Sequence, residues 1–376
     1  DDYEGIRGVE GVYTMIAIVL GTRPEIIKMS PIIRECEARN LDYFILHSGQ
    51  HYSYLMDAVF FEELHLPDAK YRLDVGSGSH GQQTGKMLAG IEDVLQKESP
   101  GCVVVLGDPN TPLAGALAAA KLHIPVCHVE AGRRSHNRRM PEEINRIVID
   151  HISDCLCAPT EVTKENLLKE GIDAEKIVIT GDPIVDAVLE NLAIAREQST
   201  ILQDLDLRPE GYLLVTVHRA ENVDIKERLQ GIMTALSALS ASLSLPVVFP
   251  VHPRTEKKIR EFGLSTRGIL QTDPLGYLDF LQLEANARLV LTDSGCIQEE
   301  SCILGVPCVT LRDDTERPET LMVGSNVLAG TDPDHISSAA LRMLSEDRKW
   351  KNPFGDGNAG KRIVQSIQTL EAKSWT

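Results

Sequence analysis

Short runs of apolar residues, many of them β-branched, recur along the chain between stretches with helical spacing. Runs such as IAIVL at 16–20 and CVVVL at 102–106 lack the polar alternation of a strand with one exposed face. Strands that are apolar throughout and separated by helices are typical of parallel sheets covered on both faces. The pattern therefore predicts an α/β protein built on parallel sheets.

This pattern occurs in two blocks, and 376 residues exceed the ~250–300 that one hydrophobic core holds. Residues 196–210 lose the pattern and are predicted to link two doubly wound, Rossmann-like domains, 15–195 and 196–355, which face each other across a cleft. The predicted strands are 16–20, 43–47, 102–106, 124–129, 155–158 and 176–180 in the first block, and 212–217, 246–251, 268–271, 288–292 and 307–311 in the second.

Charge and cysteine content exclude several classes of protein. A formal net charge of −17 argues against nucleic acid or an anionic membrane as partner, and no apolar run approaches the ~18 residues of a membrane helix. Residues 1–14 are acidic and glycine-rich, unlike a signal peptide. Most of the eight cysteines lie in apolar runs, and the Cys155-Leu-Cys157 spacing is too short for a zinc-site pair. We expect a cytoplasmic enzyme with reduced thiols.

The end of the first strand carries GTRPE at 21–25, with Lys28 one turn into the next helix. Parallel sheets bind ligands at the carboxyl ends of their strands. Arg23 beside a helix N-terminus favours a phosphate group there. A tight turn with an exposed Arg–Glu pair is an equally weighted alternative. No GxGxxG motif is present at this position, so a dinucleotide is not indicated.

A second strand-to-helix junction carries DSGCIQEE at 293–300. Ser294 and Gly295 at a helix N-terminus predict an anion site, and Glu300 could accept both hydroxyls of a ribose. Ser294 as a simple helix cap is the common alternative. Arg317, in a charged loop after the last strand, is either a second cation for a diphosphate or an exposed loop residue.

Four further charged or titratable residues follow predicted strands. A single residue of this kind is usually a cap or turn residue, but burying so many without a role would be costly. They are Asp108, Glu130, His218 and His252.

The segment MPEEINR at 140–146 begins a predicted helix, because Pro141 fits its first turn. Glu142 and Arg146 are four residues apart and share one face. Spacing alone favours a surface salt bridge over a carboxylate held by an arginine at a ligand site. The predicted apolar stripe of this helix consists of Ile144, Ile147, Val148 and Ile152.

Taken together, these segments resemble the non-hydrolysing UDP-N-acetylglucosamine 2-epimerase family. No single piece decides it, but the ordered set is specific and runs from about residue 16 to 330. The matching pieces include GTRPEIIKMSPII, SGQH, HVEAG, MPEEINR, VTVHRAEN, HPRT, TDSGCIQEE and TERPE.

The resemblance implies two Rossmann-like domains of the GT-B type, with a C-terminal helix in 356–376 that packs back on the first domain. It implies a UDP-sugar substrate, no metal, no nicotinamide cofactor and a homodimer. UDP is expected mainly on the second domain.

The resemblance also assigns roles by position. The phosphate and ribose contacts correspond to Ser294, Gly295 and Glu300. Groups around the diphosphate correspond to Arg23, His218 and Arg317, and His252 joins the substrate-binding set. The sugar side corresponds to Lys28, Asp108, Glu130, Glu142 and Arg146, with Asp108, Glu130 and Glu142 sharing the acid and base steps.

The chemistry that the resemblance implies is the loss of UDP from C1 together with the C2 proton. The intermediate is a 2-acetamidoglucal, and protonation from the other face followed by return of UDP inverts C2. Leaving-group stabilisation and carboxylates near C2 are both needed.

Several positions depart from the family pattern, and several alternative functions stay open. Gln50-His51-Tyr52-Ser53 differs from the QHR-type motif of an allosteric substrate site, so that regulation is not carried over. The alternatives are a hydrolysing relative, a 2-epimerase of a diacetamido uronic acid, a glycosyltransferase, and a UDP-sugar-binding protein without catalysis. The departures are Leu106, Pro109-Asn110, Arg133 and Cys296.

Overall fold

A computed structural model describes residues 15–49 and 54–373. The interpretations of residues 1–14 and 50–53 lie outside these ranges. The chain forms two compact units, each with its own sheet. Unit 1 contains the described residues up to 57, residues 66–180 and those from 360 onward, and unit 2 contains 58–65 and 181–359.

Every strand pairing in both sheets is parallel, as the continuous apolar runs predict. The strands of unit 1 are β1 (Ile16–Leu20), β2 (Tyr43–His47), β3 (Tyr71–Arg72), β4 (Cys102–Leu106), β5 (Val126–Val129), β6 (Cys155–Ala158) and β7 (Ile177–Ile179). Those of unit 2 are β8 (Leu213–Thr216), β9 (Val247–Pro250), β10 (Ile269–Thr272), β11 (Leu289–Thr292), β12 (Cys308–Thr310) and β13 (Asn326–Leu328).

Helices connect the strands in both units. In chain order they are α1 (Arg23–Ala38), α2 (Tyr54–Glu63), α3 (His80–Glu98), α4 (Asn110–Lys121), α5 (Pro141–Ile152), α6 (Glu161–Lys169), α7 (Pro183–Gln198), α8 (Ile201–Asp204), α9 (Ala220–Val223), α10 (Lys226–Leu243), α11 (Pro253–Phe262), α12 (Tyr277–Ala285), α13 (Gly295–Leu304), α14 (Pro318–Met322), α15 (Pro333–Ser345) and α16 (Ala359–Lys373).

The strand order reverses once in each sheet. It is β3-β2-β1-β4-β5-β6-β7 in unit 1 and β10-β9-β8-β11-β12-β13 in unit 2. The chain moves outward from β1 and then returns to the other side of β1, and it does the same around β8. Loops after β1 and β4, and after β8 and β11, therefore separate at the carboxyl edge, where open α/β sheets bind ligands. The fold is thus two Rossmann-like domains, as predicted.

The central strands are buried on both faces. Every residue of β1 and β4 is buried. Val19, Val103 and Val105 belong to one apolar cluster with Met87 and Ile91 of α3. Burial of this kind, at ~25 cal/mol per Å² of apolar surface, fixes the strands and the loops at their ends.

The sequence analysis missed several short elements, among them two strands and the helix α8. β3 is a two-residue, half-buried edge strand, and β13 has only three residues, so neither shows a recognisable pattern. The segment predicted as a linker contains α8, because Ile201 is buried in a cluster with Tyr212 and Leu214.

The boundary between the two units does not lie between residues 195 and 196, where it was expected. The change falls between 180 and 181, so α7 belongs to unit 2 and packs against α12 and α13. Its buried Val185 joins a cluster with Cys302 of α13, a contact that helical periodicity does not reveal. α16 lies in unit 1 from Gly360 onward, where Arg362 donates to the Thr180 carbonyl over 3.2 Å.

Among the described residues, no helix has both the length and the apolarity required to cross a membrane.

Candidate functional site

The loop after β1 is held by a buried glutamate. A Cβ on Gly21 would lie 2.0 Å from the Ser48 hydroxyl oxygen, so the loop needs glycine there. The Thr22 hydroxyl (2.6 Å) and the Gly21 N–H (3.2 Å) donate to the Glu25 carboxylate, whose pKa burial raises to about 8. Glu25 is therefore buried, and the alternative of an exposed Arg–Glu pair at this turn is wrong. Arg23 is the first residue of α1, as predicted.

Lys28 and Glu130 form a buried ion pair in unit 1. Lys28 Nζ contacts Glu130 Oε1, and the two residues are 3% and 7% exposed. Glu130 has φ 67°, an unusual left-handed conformation for a residue with a side chain. A guanidinium nitrogen of Arg133 lies 3.7 Å from the same oxygen. The end of β5 thus presents a carboxylate to two cations, as the strand-end pattern suggested.

Asp108, at the end of β4, is held by α5. Arg146 Nε donates to Asp108 Oδ2 over 2.7 Å, and Asn145 donates to the Asp108 carbonyl over 2.9 Å. Arg146 is 5% exposed, so this ion pair is no exposed salt bridge. Since a Cβ on Gly107 would lie 3.5 Å from Glu130 Oε2, the carboxylates of Asp108 and Glu130 flank the same loop.

The expected pairing of Glu142 with Arg146 is wrong. The carboxylate that contacts Arg146 from its own helix is Glu143, over 2.8 Å, whereas Glu142 is half-buried on an adjacent face. Glu143 also accepts the backbone N–H groups of Ser135 (3.0 Å) and His136 (2.8 Å). Burial opposes its charge, but these donors and Arg146 lower its pKa overall.

The predicted apolar stripe of α5 is correct only in part, because Ile152 packs against the apolar cluster of unit 1 but two other members of the stripe do not face inward. Ile144 and Val148 are 38% and 37% exposed, whereas Ile149 is fully buried. The inward face carries Ile149 together with polar residues, because Arg146 and Asp150 bond to the ends of β4 and β5. These polar contacts therefore determine which face of α5 points inward.

His128 and Asp150 connect the loops after β4 and β5. His128 Nδ1 lies 2.7 Å from Asp150 Oδ1, and His128 Nε2 lies 3.0 Å from the Gly107 carbonyl oxygen. The other oxygen of Asp150 accepts from the Gly132 N–H (3.2 Å) and from Arg134 (2.7 Å). Burial opposes ionisation of Asp150, but His128 and Arg134 together lower its pKa. This network fixes the loops that carry Asp108 and Glu130.

In unit 2, Asp293 joins the ends of β8 and β11. Its buried carboxylate accepts the backbone N–H groups of His218 and Arg219 at 3.0–3.2 Å, and Asn222 at 3.2 Å. His218 Nδ1 lies 3.0 Å from Asp293 Oδ1. Burial opposes ionisation of Asp293, but His218 and these N–H groups lower its pKa. Ser294 is the N-cap of α13 without a side-chain cap bond, so its hydroxyl is not used for capping.

His218 and His252 follow β8 and β9. The His218 side chain is 51% exposed. His252 is the N-cap of α11, and its Nδ1 accepts from the Arg254 N–H over 3.2 Å, which is the cap role weighed for it. Burial, together with the neighbouring His218 and Arg254, lowers the pKa of His252.

Gly295 and Arg317 lie against each other at the start of α13. A Cβ on Gly295 would come within 2.7 Å of Glu316 Oε1 and 3.8 Å of the Arg317 guanidinium carbon. Arg317 is 6% exposed, and its Nε lies 2.7 Å from Glu299 Oε1. Arg317 is therefore a buried cation at a helix N-terminus, not an exposed loop residue. Glu300 is 4% exposed in the second turn of α13.

Comparison with known proteins gives consistent results. Residues 34–368 match the family model for UDP-N-acetylglucosamine 2-epimerase. The UDP-N-acetylglucosamine 2-epimerase of Methanocaldococcus jannaschii is 55% identical over 94% of this chain and 98% of its own length.

The chain belongs to this family.

A crystal structure of the Methanocaldococcus jannaschii UDP-GlcNAc 2-epimerase in complex with UDP-GlcNAc and UDP aligns with a TM-score of 0.88 and 54% identity, over 94% of this chain and 99% of that one. The UDP-2,3-diacetamido-2,3-dideoxy-D-glucuronate 2-epimerase of Pseudomonas aeruginosa is 44% identical over 94% of this chain and 99% of its own. The names of both proteins describe epimerases that act at C2.

Three thiols of this family member are close enough to share a metal ion. The Sγ atoms of Cys127, Cys155 and Cys157 lie within 4.8 Å of one another, a cluster that the sequence analysis dismissed from the Cys155-Cys157 spacing. Hydrogen bonding among the thiols and burial raise the pKa of Cys127 well above its usual value. All three side chains are buried at β5 and β6 of unit 1.

The sequence analysis missed several polar residues of the site. The missed residues of unit 1 stabilise the loops by hydrogen bonds and ion pairs and do not directly follow predicted strands. In unit 2, Asp293 was considered only as part of the motif DSGCIQEE at 293–300. For Glu25, Glu143 and Asp150 the signal was a polar residue at a buried helical position, which hydrogen bonds and long-range ion pairs stabilise. They are Glu25, His128, Arg134, Glu143, Asp150, Arg219 and Asp293.

Proposed function

We propose that this chain is a non-hydrolysing UDP-N-acetylglucosamine 2-epimerase, which interconverts UDP-N-acetylglucosamine and UDP-N-acetylmannosamine. One observation carries the proposal: at the carboxyl ends of β4 and β5 in unit 1, Asp108 and Glu130 are carboxylates that flank one loop, each in contact with a buried cation. This arrangement occurs in a member of a family whose relatives carry that activity in their names.

The reaction requires that UDP leave before the C2 proton can be removed readily. The C2–H of the sugar is not acidic, but departure of UDP from C1 makes the ring cation-like, and C2–H then becomes removable. The resulting 2-acetamidoglucal accepts a proton on the opposite face and UDP returns to C1. Two kinds of groups are required, cations for the diphosphate and carboxylates for the proton.

The carboxylates of unit 1 supply the proton transfers in this proposal. Glu130 is held in position by its contact with Lys28, where its carboxylate can accept a proton. Asp108 is held by Arg146 on the other side of the same loop. Glu142, which is half-buried on α5, is the third candidate for the acid and base steps.

The residues of unit 2 bind the nucleotide in this proposal. Ser294 and Gly295 start α13, where backbone N–H groups favour an anion, and Arg317 adds a buried guanidinium. Glu300 accepts the ribose hydroxyls. The histidines His218 and His252 stabilise the diphosphate as it leaves.

We also propose a cytoplasmic location and a homodimer. All eight cysteines are free thiols, which suits a reducing compartment. The dimer follows from the family resemblance. Light scattering of the purified chain at several concentrations tests it, because a constant monomer mass would remove this part of the proposal.

A second candidate substrate is a UDP-linked diacetamido uronic acid. The observation that favours it is Arg133, a 4% exposed guanidinium beside Glu130, since a uronate carboxylate requires a cation. The 44% identical Pseudomonas aeruginosa relative carries this activity in its name. Comparing kcat/KM for the two UDP-sugars decides between them.

Product analysis tests the main proposal. With UDP-N-acetylglucosamine alone, we expect a mixture of the two UDP-linked epimers that is reached from either side. Free N-acetylmannosamine with one equivalent of UDP would instead identify a hydrolysing enzyme. Turnover only after addition of an acceptor would identify a glycosyltransferase, and UDP binding without any product would identify a binding protein.

A further inference from the structure

A second buried acid lies against Glu300 in unit 2. Glu284, in the last turn of α12, is fully buried, and its side chain contacts that of Glu300 on α13. A carboxyl group with no exposed surface and another carboxyl group as neighbour is costly unless a proton lies between them.

The hydrogen bonds around Glu284 indicate where that proton lies. The Ser301 hydroxyl donates to Glu284 Oε1 over 2.8 Å. Oε2 of Glu284 is buried and accepts no hydrogen bond from any group in the described ranges. An ionised carboxylate would leave that oxygen unsatisfied, whereas a proton on Oε2 turns it into a donor toward Glu300.

Burial decides which of the two acids keeps the proton. Burial, and then the adjacent charge of Glu300, raises the pKa of Glu284 well above its usual value. Glu284 is 0% exposed, whereas Glu300 in the second turn of α13 is 4% exposed, so Glu300 is the less buried member of the pair.

We propose that Glu284 is a positioning residue for ribose recognition: its protonated carboxyl group donates a hydrogen bond to Glu300 and leaves Glu300 ionised to accept the ribose hydroxyls. This rests on the proposed function, in which Glu300 contacts the ribose of UDP. Two ribose O–H groups can donate to one carboxylate only while that carboxylate is ionised and held in a fixed rotamer.

Calorimetric titration of the full chain with UDP and with 2′-deoxy-UDP tests the proposal. Glu284→Gln keeps a donor toward Glu300 and an acceptor for Ser301. Glu284→Met keeps the side-chain volume but removes both polar functions. Glu300→Gln is the matched control, because it changes the ribose contact itself. Thermal unfolding of each variant checks that it is folded.

We expect Glu284→Met to weaken UDP binding roughly tenfold and to reduce the preference for UDP over 2′-deoxy-UDP. Glu284→Gln should restore both the affinity and the preference. A purely structural role would lower affinity for both nucleotides equally and leave the preference intact.

The two levels of the proposal fail in different ways. If Glu300→Gln leaves UDP affinity unchanged, the ribose role of Glu300 in the proposed function is wrong. If Glu300→Gln weakens binding but Glu284→Met does not change the preference, the positioning role of Glu284 is overturned. Equal losses in Glu284→Gln and Glu284→Met would overturn the protonated state. Should Glu284→Met not fold, Glu284→Gln alone must still bind UDP as the unmodified chain does.

Discussion

Asp108 and Glu130 are paired with different cations, and this difference allows each carboxylate to be changed alone. Asp108→Asn and Glu130→Gln keep size and polarity but remove the group that moves a proton. We expect each to slow exchange of the C2 hydrogen by at least about 100-fold, because general acid–base groups contribute on that scale. Affinity for UDP should be retained, since neither residue belongs to unit 2.

The matched control is Glu165→Gln, an acid of α6 whose side chain is 64% exposed. It should leave both exchange and UDP affinity unchanged. Retained exchange in both Asp108→Asn and Glu130→Gln would show that these carboxylates do not move the proton. Glu142→Gln, measured alongside, shows whether the third candidate contributes.

Gly295 is required by close approach rather than by its backbone conformation. A Cβ there would lie 2.7 Å from Oε1 of Glu316, whose other carboxylate oxygen, Oε2, lies 2.8 Å from Arg312 Nη1. Gly295→Ala must therefore displace this ion pair or the start of α13. We expect UDP affinity to fall about tenfold, measured by calorimetry. Unchanged affinity would place the nucleotide phosphates elsewhere.

At the scale of elements, a glycine in α3 differs from Gly295 because it has space for a side chain. Gly85 is exposed within α3, and no atom lies within 4 Å of the Cβ that alanine would add. Gly85→Ala should increase the free energy of unfolding by about 0.5–1 kcal/mol, because glycine is a poor helix former. Urea denaturation measures this, and a decrease would mean that α3 is not helical there.

The network around Asp150 holds the loops after β4 and β5. Asp150→Asn removes the buried carboxylate that bonds to His128 and Arg134, although Arg134 keeps its ion pair with Glu170, so we expect a loss of about 1–3 kcal/mol of stability at pH 7. Urea denaturation followed by far-ultraviolet circular dichroism measures this loss. Glu165→Gln again serves as the control.

The same variant tests the pH dependence of stability. The pKa of Asp150 is lower in the folded chain than its usual value near 4. Its stabilisation is therefore present above that pH and is lost as the pH falls through the folded value. Below roughly pH 5, the unmodified chain should therefore lose more stability with falling pH than Asp150→Asn. Parallel losses would show that Asp150 is not held ionised.

Sequence patterns predicted the ends of elements better than the faces of helices. The strands at 16–20 and 102–106 were predicted at their observed bounds, and Asp108 and Arg23 follow them as expected. The inner face of α5 was not predictable, because it depends on the contact between Arg146 and Asp108, 38 residues apart. Local periodicity carries no information on such a pair.

At the scale of the whole chain, the two sheets followed from two blocks of apolar strands. The boundary between the units could not be predicted from the sequence, because the amphipathic pattern of α7 does not specify which sheet this helix covers. The partnership of Glu284 with Glu300 was equally hidden, since it joins two helices that both look ordinary in sequence.

Proton NMR of UDP-N-acetylglucosamine with the enzyme in heavy water tests the central claim most directly. If UDP leaves and C2 is deprotonated, deuterium must appear at C2 of both UDP-linked epimers as they equilibrate. The C2 proton signals should therefore disappear while the UDP-linked sugars remain. Epimerisation with retention of the C2 proton, or turnover without any deuterium at C2, would contradict the account.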